Sequence, residues 1–210
     1  MPRPLRAPPP RDDDPRRAAT RARIVEAATR LFSRYGFRRA SVDAIAAAAA
    51  VATPTLYAYF PDKDALFLAV CEDVLGAIVT RAREAAAASG GLEERLTRVL
   101  AAKFTHLFEL VHASPHAAEL LGSSDRVASE LVADADRRYA AVVRQVLTDA
   151  IEQGEIDPGR AGASVPRLVE VLLRCGHGAG YQAENAAEHR KHLGDMVDVV
   201  VAAVRKGSAR

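Results

Sequence analysis

The sequence predicts an all-α protein, and three observations carry that expectation. Apolar residues recur at offsets of three and four along most of the chain, the spacing of one helix face. Gly, Ser and Pro fall where those stretches end and restart. No pair of alternating, turn-bounded runs of the kind that forms a hairpin occurs. With 210 residues, 49% of them apolar and 27% charged, the chain is globular and holds one or two domains.

Residues 1–17 are Pro, Arg and Asp with little to bury, and read as a disordered basic arm. Then Ile24, Ala27, Ala28, Leu31, Phe32 and Tyr35 mark the core face of a first helix, with Gly36 as its stop. Ser41 is placed to N-cap a short helix through Ala48. A second short helix spans Thr53 to Phe60, with Pro54 just inside its start. A long helix follows over 63–88, with Leu66, Val70, Val74 and Ala77 on one face, and turns at Ser89-Gly90-Gly91. The next helix runs Leu92, Leu96, Val99, Leu100, Lys103, Phe104, Leu107 and Val111 along its face. A short helix over 116–121 and a long one over 126–153, stopped by Gly154, precede a loop at Asp157-Pro158-Gly159. Two last helices cover 165–181 and 187–204, giving about nine in all. In the last one, helical period and length outweigh the strand preference of its valines.

Charge divides the chain more sharply than its net +2 suggests. Residues 1–63 hold 12 of the 29 Lys and Arg but 6 of the 27 Asp and Glu, so the first third is basic and the remainder acidic. That asymmetry points to an anion as partner, nucleic acid first; a solvated basic face with no ligand stands beside it. Cys71 and Cys175 lack disulfide-framework and metal-ligand spacing and read as reduced, buried thiols. No apolar run approaches the length of a membrane span, and the first fifteen residues do not resemble a secretory signal, so no membrane partner and a cytoplasmic location are expected.

The informative stretch is Ser41 to Leu66. Two short helices are joined by a tight turn at 49–52; Ile45 and Ala46, Val51, and Leu56 are spaced to pack together. This is helix-turn-helix spacing, whose second helix enters the major groove of DNA. That helix presents Thr53, Thr55, Tyr57 and Tyr59, short or hydroxyl-bearing groups that can reach phosphates and base edges, with Lys63 following. Leu56 and Phe60 are core. On the residues alone, each Tyr is open between packing and phosphate contact, and capping alone explains Ser41.

Gly36-Phe37, Ser41, Ile45-Ala46, Val51, Thr55-Leu56-Tyr57, Tyr59-Phe60 and Lys63 stand in the order and with the gaps of one family pattern. Over about residues 20–67 the chain resembles the DNA-binding domain of the TetR (tetracycline-repressor-like) family of bacterial transcription regulators. The resemblance implies a three-helix DNA-binding domain over 18–64 and a helical ligand-binding and dimerisation domain over 65–210. It implies contact with a DNA operator by Ser41, Thr53, Pro54, Thr55, Tyr57, Tyr59 and Lys63. At the turn the chain departs from the pattern, with Ala50 where the family has Gly; either the turn avoids positive φ or the recognition helix shifts.

One such module buries too little surface for tight operator binding, so a homodimer on a palindromic site is expected. Its candidate contacts are Leu168 and Leu172 on the penultimate helix and Leu193, Met196, Val197, Val200, Val201 and Val204 on the last. The alternative is that both helices merely pad the monomer core. A pocket for an unknown small-molecule inducer is implied by the resemblance, with Phe104, His106, Phe108, His112, Tyr139, Cys175, His177 and Tyr181 as candidates. His112 and His116 mimic a metal pair, but Pro115 interrupts them, so no metal and no cofactor is expected. Gly176, Gly178 and Gly180 follow no strand and so fit close helix approach, not a dinucleotide loop. No nucleophile elbow, P-loop or zinc-protease motif occurs, and the expectation is a regulator without enzymatic activity, usually a repressor. The rival reading is an all-α ligand-binding or interaction scaffold that does not bind DNA specifically.

Overall fold

The computed structural model describes residues 15–113 and 126–206. Among them are eight α-helices, one 3-10 turn and no strand. The chain divides into two compact units, 1–70 and 71–210, the division falling after Val70.

The described part of the first unit holds α1 (Pro15–Tyr35), α2 (Val42–Ala48), α3 (Thr53–Tyr59) and the opening turns of α4 (Lys63–Ala87). α1 begins inside the stretch read as a disordered arm, because Pro15 is compatible with a helix's first turn; the rest of that arm lies outside the described residues. Ile24, Ala27, Ala28 and Phe32 are buried as the spacing predicts. Tyr35 is not: at the helix end its ring turns outward, 44% exposed, beneath Arg34. Gly36 follows at φ +81° and donates its N–H to the Phe32 carbonyl, a left-handed stop that glycine adopts without strain. Phe37 then folds back, its ring 5.4 Å from Phe32 and 4.7 Å from Phe67 of α4, closing an aromatic cluster.

The second unit contains the rest of α4, then α5 (Leu92–Ala113), α6 (Arg126–Glu152), a 3-10 turn (Pro158–Ala161), α7 (Val165–Gly178) and α8 (Ala186–Val204). The short helix expected over 116–121 lies outside the described residues. α5 is central: it packs along α8 and touches α6 and α7. On α4 the core stripe runs through Leu75, Ile78, Val79 and Ala82, one position on from the expected Val74 and Ala77, which are half-buried. Val111, near the end of α5, is exposed. Gly154 at φ +76° closes α6, where the Glu155 N–H reaches back to the Ala150 carbonyl. Asp157 caps the 3-10 turn, and the Asp157 N–H and Lys206 N–H tie the segment to the end of α8.

α7 stops at Gly178, three residues short of expectation, because its glycines leave the helix weakly supported and the chain turns through Gln182 at φ +60°. Gly176 is a point of close approach: a Cβ there would lie 2.4 Å from the Phe104 ring. Asn185 accepts from the Ala187 and Glu188 N–H groups and starts α8.

The proposed dimer residues need correction. Leu168, Leu172, Leu193, Val197, Val201 and Val204 are all buried in the subunit's own core. α7 and α8 each have one strongly apolar face, and α5, α6 and the 156–163 segment consume it. Met196 and Val200 are half-buried at its edge, and the large apolar side chain turned outward on α8 is Val199, 71% exposed. Cys71 is buried, which pushes its thiol pKa up to about 11, whereas Cys175, expected buried, is exposed.

Candidate nucleic-acid interface and ligand cavity

Ser41 accepts a hydrogen bond from the Ala44 N–H at 3.2 Å, satisfying one donor at the start of α2. α2 and α3 meet at 96°, with Ile45, Ala46 and Leu56 buried and Val51 half-buried. The turn resolves the question that Ala50 poses: Ala50 itself takes φ +52°. It completes a capping motif in which the Val51 N–H reaches the Ala46 carbonyl at 3.0 Å and the Ala50 N–H reaches Ala47 at 3.1 Å. The geometry glycine would supply is thus preserved, at the cost of crowding an alanine Cβ.

A second link was not visible in the sequence. The Thr53 hydroxyl donates to the Asp43 carboxylate at 2.7 Å, joining the first turns of α2 and α3. Thr53 therefore supports the angle between the helices as well as standing at the head of α3. Pro54, Thr55 and Tyr57 are exposed, the last at 47%, while Leu56 and Phe60 face inward. This separates the two tyrosines: Tyr57 is free toward solvent, and Tyr59 is half-buried beneath the Arg17 guanidinium at 4.9 Å. Arg21 lies over the Phe60 ring in the same way.

Lys63 is more constrained than its position in the motif suggests. Its ammonium donates to the Arg38 carbonyl at 3.3 Å and sits 4.7 Å from the Phe37 ring. Desolvation lowers its pKa, partly offset by Asp64. Lys63 thus fastens the 36–40 turn to the start of α4, and its remaining N–H groups stay available to an anion.

In the second unit, a cavity of about 180 Å³ is bounded by α4, α5, α6 and α7. Of the candidates from sequence, Tyr139 and His177 line it. Phe104 stands behind, its ring 4.8 Å from His177. His106 lines a separate groove with Arg81 and Arg190, and burial, then Arg81, lower its pKa against the opposing Glu109. Phe108 stacks on His112 at 3.9 Å and lies 4.7 Å from buried His189. Cys175 and Tyr181 are exposed, Tyr181 at 78%. Sequence reasoning missed Lys103 and Asp136, which line the cavity and pair at 2.6 Å. The available signal was a lysine at a core position of α5, read there only as part of the apolar face. Among the described residues, no three His, Cys, Asp or Glu side chains gather to hold a metal, and His112 Nδ1 is engaged with the Phe108 carbonyl.

A right-angled helix pair with an exposed hydroxyl-bearing face on its second helix, in an all-α chain, defines a helix-turn-helix DNA-binding protein. Residues 24–70 match the model of the bacterial regulatory proteins, tetR family. Over residues 24–70 the chain thus carries the DNA-binding domain that this family model describes, and it is a DNA-binding transcription regulator. It is 25% identical to the fatty acid metabolism regulator protein of Bacillus subtilis over 141 residues, 65% of this chain and 70% of that one. Two solved structures share the fold. One is the regulator FadR from Bacillus subtilis in complex with stearoyl-CoA, with TM-score 0.65 and 18% identity over 88% of this chain and 99% of that one. The other, from Saccharomonospora viridis in complex with choline, has TM-score 0.71 and 18% identity over 90% of this chain and all of that one.

Proposed function

We propose that the protein binds a palindromic operator as a homodimer and releases it when a small molecule occupies the second unit, as a cytoplasmic repressor. The carrying observation is the outward face of α3, where Pro54, Thr55 and Tyr57 are exposed on a helix set at 96° to α2. In this reading Pro54 and Thr55 face base edges, and Thr53 adds to readout while bonded to Asp43. Tyr57, Lys63, Tyr59 and Ser41 position the domain on phosphates. Residues 65–210 serve as the effector and dimerisation domain. The complexes of two fold relatives with stearoyl-CoA and choline support a ligand-binding role for it. Ligand and DNA then act on one conformational equilibrium, and each weakens the other by the same factor.

Selection of bound duplexes from a random pool tests the reading. The expected winner is a palindrome whose half-sites lie about one or more helical turns apart. Lys63→Ala should then weaken every duplex alike and reduce the slope of log affinity against log salt by about 1. Tyr57→Phe should weaken binding uniformly without changing the slope, and Thr55→Ala should alter which duplex is preferred. A pool that emerges unenriched at low salt would refute the proposal.

A further inference from the structure

Every cavity-lining aliphatic side chain named by the fold belongs to the second unit, and one buried charge stands among them. Lys103 is 11% exposed at its side chain, and its ammonium meets the Asp136 carboxylate at 2.6 Å. The rings of Phe104 and Tyr139 flank it at 5.3 and 5.2 Å. An ammonium carries three donors. One goes to Asp136, and the other two have no hydrogen-bond acceptor among the described residues. The Tyr139 hydroxyl donates its proton to the Val99 carbonyl at 2.8 Å. Leu75, Ile78, Leu107 and Val132 supply the apolar wall.

The pair is asymmetric. Lys103 is held inside, while Asp136 is 52% exposed at its side chain and can turn into water at little cost. A cationic ligand would compete with a fixed buried ammonium for Asp136 and bring two like charges together. A neutral ligand with a hydroxyl or carbonyl oxygen accepts from a spare donor, but more weakly than an anion and without replacing the charge of Asp136. A carboxylate satisfies both spare donors, and in displacing Asp136 it leaves the buried charge count unchanged. The cavity volume of about 180 Å³ is close to one that holds benzene. We propose that the effector is a small carboxylic acid with a compact apolar body, bound as its carboxylate to Lys103 in place of Asp136. This inference rests on the reading of the second unit as an effector domain.

Calorimetric titration of the full chain with benzoate, benzyl alcohol and benzylamine tests it, since the three differ mainly in charge. Benzoate should bind about tenfold or more tighter than benzyl alcohol, with benzylamine weakest, the difference expected of charge-assisted hydrogen bonds. Lys103→Met should abolish the preference for benzoate and retain benzyl alcohol. Asp136→Asn should tighten benzoate about fivefold, because the competing counter-ion is gone; this variant carries the test if Lys103→Met does not fold. Preference for benzylamine, weaker benzoate binding in Asp136→Asn, or failure of all three probes to bind would overturn the inference. Duplex affinity is measured in parallel. A chain that binds its selected duplex but no benzoate loses this inference alone. Benzoate binding that depends on Lys103 but leaves duplex affinity unchanged supports the carboxylate site and removes the inducer reading instead.

Discussion

At the scale of single residues, Ala50 shows how a motif can keep its geometry without its usual residue. A Cβ at φ +52° is crowded against the backbone, and the turn adopts that conformation anyway. Two capping hydrogen bonds and the burial of Ile45 and Leu56 over-determine it. Ala50→Gly should therefore raise stability by about 1 kcal/mol, read as a higher urea midpoint at unchanged m. A lowered midpoint would mean that glycine's freedom in the unfolded chain outweighs the relieved strain. His189 makes a second prediction at this scale. It is buried, its Nδ1 3.0 Å from the Thr105 hydroxyl, with Phe108, His192, His112 and Glu109 around it. Burial first, then His192 and His112, lower its pKa against the opposing Glu109. The unfolded chain thus takes up this proton more readily than the folded one. Its contribution to stability is present above the ordinary histidine pKa and is lost as pH falls through the lower folded value. The urea midpoint should drop between pH 7 and 5, and His189→Gln should flatten that dependence while lowering stability at pH 7. His106, also lowered, contributes in the same sense and leaves a residual slope.

At the scale of elements, glycines of α7 have different jobs despite their shared spacing. Gly176 admits the Phe104 ring where a Cβ would stand 2.4 Å away, whereas a Cβ on Gly178 meets nothing within 4 Å. Gly176→Ala should therefore cost about 1–3 kcal/mol through overpacking against a buried ring. Gly178→Ala should be neutral or stabilise by up to about 1 kcal/mol through helix propensity. Thermal unfolding of the two variants separates them, and equal effects would show that the close approach has no energetic weight. The elements themselves were largely legible. The starts at Ser41 and Thr53 and the stops at Gly36 and Gly154 follow from local chemistry that a single sequence carries. Which face of α4 enters the core was not, because that helix has apolar residues on several faces and its neighbours choose among them. The Asp43–Thr53 bond and the Lys103–Asp136 pair escaped for a related reason: each joins residues on different helices whose approach no periodicity encodes.

At the scale of the whole molecule, the same limit explains why the dimer residues were misplaced. Periodicity identifies an apolar face but not what covers it, and the faces of α7 and α8 are covered within the subunit. If the protein acts on DNA as a two-fold pair, the partner must meet what remains outside. On α8 that is the flank carrying Met196, Val199 and Ala203 at offsets of three and four, of which Val199 is 71% exposed. Exposed valine alone is ordinary; a symmetric contact gives it a reason, since one residue then meets its own copy across the axis. Val199→Asp places like charges at that meeting point while leaving the subunit core untouched, because nothing buried in the subunit is altered. Sedimentation should show the wild-type chain as a dimer and the variant as a folded monomer. Losing one half-site should then weaken palindromic duplex binding by about a thousandfold, toward the nonspecific level, with little change on an isolated half-site. A variant that stays dimeric would move the interface off this flank, and a wild-type monomer that binds one half-site as tightly as the palindrome would remove the need for a pair.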